Sequence, residues 1–255
     1  MKKTKNILLL LIVLLSYKTV ISQEDSTLTM SYYENKNLKE IGATVNGEKE
    51  GEWTFYYENG EIKSKGNYAN GKKVGTWESY RKGLILRAQT TYKTDSTYCT
   101  SKFYDKNGIL TTLINFSDSR TKNGEAKQFY KNGQVKEVGN YVDDYKEGIW
   151  LYYYENGQLQ KSIINKNRKI EGEFKSYHEN GKLHEVGNYK NSLKQGVFKT
   201  YYSTGTLESI GKYNNYSKTG DWIYYKEDGT VAYEINYSAI EKPDYEIIDT
   251  SPSTK

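Results

Sequence analysis

Proline is almost missing from this chain of 255 residues. Only two are present, Pro243 and Pro252, and both lie close to the C-terminal end. Because proline cannot donate a backbone hydrogen bond, its absence over a long segment is typical of strands whose N–H groups are all needed in a sheet. The sequence therefore predicts an array of strands over residues 23–237, followed by a tail at 238–255 that breaks the pattern.

Cysteine is equally scarce. Cys99 is the only one, so no intrachain disulfide can form, and we expect a buried inert thiol there. Mean hydropathy is low, at −0.87, yet the chain has 27 tyrosines, six phenylalanines and four tryptophans. An aromatic side chain can bury about 150–250 Å². This composition excludes a disordered chain and predicts a thin, tyrosine-rich sheet without a thick aliphatic core.

The first 22 residues have the composition of a secretory signal peptide. A basic segment, residues 1–6, precedes an unbroken aliphatic run at 7–15, and a small residue, Ser22, follows. The aliphatic run is much shorter than the about 20 residues that span a bilayer, although a retained membrane anchor is the alternative interpretation. We therefore predict an exported protein, periplasmic or extracellular, that is cleaved near Ser22.

Most of the excess positive charge of the chain lies in that segment. The formal net charge is +5, and four of the lysines lie in the first 22 residues, so about +1 is left after cleavage. The other lysines are interleaved with glutamates, as on an ordinary solvated face. A nucleic-acid partner, which a basic chain would otherwise suggest, is not expected.

A unit of 24 residues recurs along most of the chain. It is clearest from Gly51 to the next glycine of its kind, Gly75, and contains two runs rich in aromatic and β-branched residues, the first at 52–57. A turn of Asn-Gly type follows each run, which is the pattern of a β-hairpin. The units start near residues 27, 51, 75, 99, 124, 148, 172, 196 and 220.

Several positions hold the same residue types in unit after unit, and we interpret them as structural. The tryptophan column and the first tyrosine column are three residues apart, so they lie on opposite faces of a strand. Glycine inside a strand is unfavourable by itself, so we expect the glycine column to let an aromatic ring from a neighbouring strand lie across the backbone. The representative positions are Trp53, Tyr56, Gly60, Gly66, Tyr68, Trp77, Trp150, Gly157, Gly187, Tyr189 and Trp222.

The segment 81–123 departs most from the repeat. Thr90 replaces the strand glycine, and Cys99 replaces the glycine that starts a unit. The first unit, from residue 27, is also incomplete, and terminal repeats of solenoids are often atypical because they cap the array. For 81–123 the residues leave two interpretations open, a specialised contact site or a decayed repeat.

No group of residues has the spacing of a catalytic or metal site. His178 and His184 are the only histidines, and His178 stands where other units have tyrosine, so it is interpreted as a tyrosine replacement. Zinc sites need three or four ligands at recognisable spacing. We expect no enzyme activity, no cofactor and no metal. The aromatic columns could form a sugar-stacking platform, but packing within the sheet explains them with fewer assumptions.

The motif Gly-x-Trp-x-x-Tyr-Tyr-x-x-Gly at 51–60, followed by an aliphatic residue and then Gly-x-Tyr, resembles the MORN repeat. It is more closely similar to the bacterial YwqK-type antitoxin-like family of MORN-variant repeats, over about residues 27–237. The resemblance implies an all-β fold, an elongated antiparallel β-meander of about nine hairpin repeats in a single-layer twisted sheet. It also implies protein contacts or, in some such proteins, proposed contacts with phospholipids.

The two functional expectations differ in what the sheet binds. An antitoxin would meet a toxin in the cytoplasm, whereas the signal peptide predicts export. We therefore expect a non-enzymatic exported scaffold that binds a protein partner, or neutralises an effector, at the cell envelope. The alternative is a surface that binds lipid headgroups or envelope glycans through its lysines and aromatic side chains.

Overall fold

The computed structural model describes residues 26–93, 98–117 and 120–238. They form 19 strands, and no helix among them is long and apolar enough to cross a bilayer. The predicted signal peptide at 1–22 lies outside the described residues, as does the predicted tail after Ser238. The strands are β1 Ser26–Tyr32, β2 Leu38–Val45, β3 Glu48–Tyr56, β4 Ile62–Ala69, β5 Lys72–Tyr80, β6 Leu86–Tyr92, β7 Cys99–Tyr104, β8 Leu110–Phe116, β9 Lys122–Phe129, β10 Val135–Val142, β11 Tyr145–Tyr153, β12 Leu159–Lys166, β13 Lys169–Ile170, β14 Gly172–Tyr177, β15 Leu183–Lys190, β16 Leu193–Tyr201, β17 Leu207–Asn214, β18 Ser217–Tyr225 and β19 Val231–Asn236.

The chain divides into two compact units, residues 1–86 and 87–255. In the first unit, β1 to β5 pair antiparallel with their neighbours in sequence. In the second unit, β6 to β19 do the same, with β12 pairing both β13 and β14. The all-β antiparallel meander predicted from the repeat is confirmed.

Two kinds of turn alternate along the meander. After β3, the N–H of Gly60 donates to the carbonyl of Tyr57 at 2.9 Å, and Gly60 has a φ of 85°. After β15, Asn191 and Ser192 have φ values of 52° and 67°. Two successive positive φ angles define the tight hairpin turn that matches strand twist, and asparagine tolerates them well. The turns predicted from the Asn-Gly signals are thus present, and Asn191 and Ser192 form an equivalent turn.

The first strand of a unit begins earlier than its sequence pattern indicated. The pattern placed that strand at 52–57, whereas β3 starts at Glu48 and passes through Gly51, which has a φ of 66°. On the β2 side, Ala43 pairs with Glu50 and Gly42 pairs with Trp53, so two residues of β3 bulge outward. A positive φ costs glycine little, and the glycine that seemed to start a unit therefore forms a β-bulge inside a strand.

Buried side chains form a single row in each unit. Most of them belong to the tryptophan column or directly face it across a strand pair, and the largest have 1% of their surface exposed. Both faces of a one-layer sheet border solvent, so this row takes the place of a conventional core. The buried apolar residues are Trp53, Trp77, Ala88, Cys99, Ile114, Ala126, Trp150, Phe198 and Trp222.

Candidate binding faces

On one face of each unit, an aromatic ring lies against a glycine of the preceding strand. A β-carbon added to Gly66 would lie 2.4 Å from Cδ2 of Trp77, and one added to Gly187 would lie 2.5 Å from Cδ1 of Phe198. No side chain fits at such distances, so only glycine admits the ring, as the glycine column predicts. The same arrangement is found for the pairs Gly42/Trp53, Gly139/Trp150 and Gly211/Trp222.

The tryptophans also satisfy a backbone carbonyl next to that glycine. Trp77 Nε1 donates to the carbonyl of Asn67 at 2.9 Å, and Trp150 Nε1 donates to that of Asn140 at 3.1 Å. Each acceptor directly follows the strand glycine, where the register between the two strands shifts. A buried indole N–H usually needs such a partner, and the bulge supplies it. Phenylalanine at this position keeps the ring but loses the hydrogen bond.

Tyrosines separate the rings along this face. The ring of Tyr189 lies edge-on between those of Phe174 and Phe198, with centroids 5.4 and 6.0 Å away. Tyr213 lies between Phe198 and Trp222, 5.1 Å from each. Edge-to-face pairs in this range are favourable. We call this continuous set, with its counterparts in the other repeats, the ring row.

A lysine covers the ring of Trp53, Trp77, Trp150, Phe198 and Trp222, whereas Ile170 takes that position before Phe174. The ammonium of Lys146 lies 3.8 Å from the centroid of Trp150 and 2.9 Å from the carboxylate of Glu137. Burial alone would lower the pKa of Lys146, but its hydrogen bonds to Tyr152 and Glu137 outweigh burial and raise the pKa. The covering lysine is therefore held as a cation by both the ring and the carboxylate.

Lys73 shows what happens where the carboxylate is replaced. Its ammonium lies 4.1 Å from the centroid of Trp77, but Ser64 stands where Glu40 accompanies Lys49 one repeat earlier. Burial lowers the pKa of Lys73, and the charge of Lys49 lowers it further. With no carboxylate at this position, burial thus sets the direction in which the pKa of this covering lysine moves.

The tryptophans of the ring row are buried and pack the sheet. Trp53 and Trp150 each expose 1% of their surface and Trp222 exposes 2%. A sugar ring would need an open aromatic face to stack on. These tryptophans therefore do not provide the glycan platform that their number alone would allow.

The opposite face of the second unit is open. In each strand, the residue next to the ring or glycine column pairs with its equivalent in the neighbouring strand. Because side chains alternate between the two faces, these side chains point away from the ring row. They are half-buried or exposed, and Ile149 and Val197 beside them are 60% and 44% exposed. We call this the lysine–aliphatic row: Lys102, Leu113, Lys127, Val138, Leu151, Ser162, Lys175, Val186, Lys199, Ile210 and Ile223.

The first tyrosine column lies on the same side as that row in each unit. In the second unit the hydroxyl of Tyr104 donates to the side-chain oxygen of Gln89 at 3.1 Å, and Gln89 pairs directly with Lys102. In the first unit the hydroxyl of Tyr80 donates to Glu78; burial and then this carboxylate raise the pKa of Tyr80 to about 12. Tyr56 precedes Tyr80 by one repeat in this column.

A further column joins successive hairpins at their turns. The hydroxyl of Tyr154 donates to the carbonyl of Tyr177 at 2.8 Å, and Nε2 of His178 donates to that of Tyr201 at 2.7 Å. His178 thus does the work of the tyrosine that it replaces, as its position in the repeat predicts. The same bond is made by Tyr33, Tyr57, Tyr130 and Tyr202.

The two histidines are neighbours without a third ligand. The ring centroids of His178 and His184 are 4.5 Å apart. Within the part of the chain that the structure describes, no group of three or more His, Cys, Asp or Glu side chains is placed to hold a metal ion. The hairpin-joining role of His178 accounts for its position.

The ring row is also interrupted just after the irregular segment 81–123, in the unit that starts at 124. Ala126 stands in the tryptophan column, and Ile114 pairs with it from the neighbouring strand. A cavity of about 310 Å³ lies over this pair, walled by Phe116, Tyr141 and Trp150. We call it the Ala126 cavity. Sequence reasoning missed it.

A signal for the cavity was present in the sequence. At Thr90 and Ile114 a side chain replaces the strand glycine, and a small residue replaces the ring it would meet, at Ser101 and Ala126. At Ile163 the glycine alone is replaced, and the ring of Phe174 is kept. The hydroxyls of Thr90 and Ser101 lie 2.8 Å apart. Reading the two columns together would have separated paired exchanges from random decay.

Comparison with known proteins identifies the repeat. Six segments of the chain match the family model of the MORN repeat variant, at residues 49–70, 122–143, 146–164, 170–191, 194–215 and 218–239, which is slightly more than half of the chain. No curated protein sequence matches the chain.

Solved structures with some likeness belong to a toxin assembly. Crystal structures of TcdB2-TccC3-Cdc42 and TcdB2-TccC3-TEV are 12% and 13% identical over 79% and 84% of this chain, with TM-scores of 0.21 and 0.22. The Photorhabdus luminescens Tc holotoxin pore is 12% identical over 84%, with a TM-score of 0.20. This chain spans only 13%, 14% and 15% of the lengths of those chains. Similarity at this level contributes nothing to the function proposed below.

Proposed function

Because the chain belongs to the MORN repeat variant family, we propose that it is a non-enzymatic scaffold that binds a protein partner. The observation that carries the proposal is the lysine–aliphatic row, an open face on the side of the sheet opposite the ring row. Repeat arrays of this kind present extended surfaces whose residues vary while the packing columns stay fixed. Binding is thus assigned to the side of the sheet that does not hold it together.

The chemistry of the row favours a partner with both apolar and acidic groups. Aliphatic side chains such as Val138, Leu151 and Ile210 are half-buried, and Ile149 and Val197 on the same face are 60% and 44% exposed. Contiguous apolar surface rimmed by polar groups is typical of protein interaction sites. Tyrosines next to it add rigid, amphipathic contact area.

Of the four lysines of the row, Lys102 and Lys199 have charge available for a partner. Lys127 and Lys175 form ion pairs with Glu125 and Glu173, at 3.0 and 2.8 Å. Lys102 and Lys199 have no carboxylate of the described residues within ion-pair distance. An acidic patch on the partner would complement them and speed association.

The place of action follows from the predicted signal peptide at residues 1–22. A basic start and a short aliphatic run support export, so we place the protein in the periplasm or outside the cell. An antitoxin-like role would then concern an effector that is itself exported. Both points are part of the proposal and depend on that leader.

The test compares the row with the rest of the surface. The full chain, the variant Lys102→Glu/Lys199→Glu and the control variant Lys131→Glu/Lys190→Glu would each be used to capture proteins from an envelope extract. The control makes the same charge change at exposed positions outside the row. We expect one stoichiometric partner that the native chain and the control retain and the row variant loses.

Two results would contradict the proposal. Equal retention by all three proteins would show that the partner binds elsewhere. Retention of no protein, with salt-sensitive binding to anionic vesicles that the row variant loses, would assign the row to lipid headgroups, since such binding is electrostatic.

A further inference from the structure

The Ala126 cavity stands at the position that an aromatic ring fills in the regular repeats. Phe116 pairs with Lys122 as Tyr189 pairs with Lys194, so the two strand pairs have the same register. In the regular repeat, Phe198 fills the space beneath Lys194, whose ammonium lies 4.7 Å from the ring centroid. At Ala126 no ring is present, and the space is open.

The side chains around the cavity are those that enclose a ring elsewhere. Phe116 and Tyr141 take the places of Tyr189 and Tyr213, which flank Phe198 edge-on. Trp150 takes the place of the next ring in the row. Their surroundings are therefore complementary to a planar aromatic group, which prefers edge-to-face neighbours at such distances.

The cavity has room for such a group. Its volume is about 310 Å³, whereas an engineered cavity of about 150 Å³ is enough to bind benzene. Ile114 occupies part of the space that the strand glycine leaves to the ring in regular repeats. The remaining volume matches the lower end of natural ligand pockets, which start at about 300 Å³.

The cavity also lacks a carboxylate that the regular repeat supplies. Thr112 pairs with Gln128 as Glu185 pairs with Thr200, so Thr112 stands where Glu185 forms its ion pair with Lys194. Among the residues that the structure describes, no carboxylate lies within ion-pair distance of Lys122. Glu137, which also lines the cavity, is engaged by Lys146 at 2.9 Å.

Two groups of the regular repeat, the aromatic ring and the carboxylate, are thus missing at the same place. We propose that the Ala126 cavity binds aromatic carboxylates, with the ring enclosed by Phe116, Tyr141 and Trp150 and the carboxylate against the ammonium of Lys122. Such a ligand restores both elements at once. The cavity opens over Ala126, whose side chain lies on the opposite face from the lysine–aliphatic row; Lys127 of that row also lines the cavity.

The test uses three probes on the full chain, with binding measured by isothermal titration calorimetry. N-acetyl-tryptophan carries the ring and the carboxylate, its amide carries the ring alone, and acetate carries the carboxylate alone. We expect saturable one-to-one binding of N-acetyl-tryptophan, binding of the amide about tenfold weaker, as for loss of one charge-assisted hydrogen bond, and no measurable binding of acetate.

Two variants separate the ring from the charge. Ala126→Leu fills the cavity and is expected to weaken N-acetyl-tryptophan about tenfold or more, as steric filling of a pocket does. Thr112→Glu gives Lys122 the carboxylate of the regular repeat and should abolish the preference for the acid over the amide. Thr204→Glu makes the same change on an exposed turn and should leave that preference unchanged.

The proposal is overturned if N-acetyl-tryptophan does not saturate, if the amide binds as tightly, or if Ala126→Leu binds like the native chain. Circular dichroism decides whether Ala126→Leu is folded, and if it is not, the Thr112→Glu comparison alone decides. Gly-Gly-Trp and indoleacetate then identify the source of the ligand, since tighter binding of the peptide indicates a polypeptide C-terminus and tighter binding of indoleacetate a free acid.

Discussion

Two places in the second unit solve the same packing problem in opposite ways. At Gly187 and Phe198, one strand has glycine and the next strand supplies a large ring that is 1% exposed. At Ile114 and Ala126, the first strand supplies a branched side chain and the second gives up its ring. The volume between two strands is therefore shared, and each strand's residue depends on the residue that faces it.

The comparison changes how the irregular segment is interpreted. A decayed repeat would lose the glycine and the ring independently, as happens at Ile163, where Phe174 is kept, whereas Thr90/Ser101 and Ile114/Ala126 lose them together. The exchange is incomplete at Ala126, because Ile114 is smaller than a ring and leaves the cavity open. The open position is the one that we propose to bind an aromatic carboxylate.

The largest expected effect comes from removing the ring where the neighbouring strand cannot compensate. Phe198→Ala would leave an empty space over Gly187 and should lower the free energy of unfolding by about 4 kcal/mol. Denaturant unfolding measures the change. Val197→Ala is the matched control, because Val197 is 44% exposed on the other face; its cost should stay below about 0.5 kcal/mol. Similar losses for both would contradict the assignment of the ring row as the core.

Adding volume on the other strand should cost somewhat less. Gly187→Val would place a β-carbon within 2.5 Å of the Phe198 ring, and we expect a loss of about 3 kcal/mol from overpacking. Asn188→Val changes the exposed neighbour on the other face. If the two variants were equally stable in denaturant unfolding, the glycine column would have no packing role.

The hydrogen bonds between successive hairpins should contribute less to the free energy of unfolding than the ring row does. Tyr154→Phe removes the hydroxyl that donates to the carbonyl of Tyr177 and should cost about 1 kcal/mol. His178→Phe should cost a similar amount, because His178 makes the equivalent bond. Tyr145→Phe, at a tyrosine that is 43% exposed, serves as the control. Thermal unfolding would show no difference among the three if these bonds were incidental.

The smallest effect is a dependence on alkaline pH. The pKa of Tyr80 is raised from 10.0 to about 12 by burial and by Glu78. A raised pKa means that the folded state keeps its proton longer, so this contribution to stability is present below pH 10 and is lost as pH rises through 12. Tyr80→Phe should therefore reduce the loss of stability over that interval relative to the native chain, as measured by denaturant unfolding at a series of pH values. An identical pH profile for the two proteins would contradict the assignment.

Much of this architecture could be predicted from the sequence, because each repeat contains the complete strand and turn pattern of one hairpin. The alternation of aromatic runs with Asn-Gly turns predicts the meander, and the column of Gly66 and Gly187 predicts a ring across the backbone. The strand start was wrong because Gly51 is compatible both with a boundary and with a bulge, and only the pairing with β2 distinguishes them.

The binding faces could not be predicted in the same way. The lysine–aliphatic row exists only once the cross-strand register is known, since its members come from different strands and follow no single column. The Ala126 cavity depends on a volume difference between Ile114 and a ring, which a sequence pattern does not measure. Both features arise from residues that face each other across strands, whereas the repeat pattern runs along them.

A double-mutant cycle on Gly187 and Phe198 tests the central claim most directly. Gly187→Ile, Phe198→Ala and the double variant, which copies Ile114/Ala126, would be compared by denaturant unfolding. If the side chains of neighbouring strands share the space between them, the free energy of unfolding of the double variant should be about 2 kcal/mol higher than the sum of the two single losses predicts. Such coupling is expected for residues in contact. Additive losses would contradict the account, because they would mean that ring and glycine contribute separately.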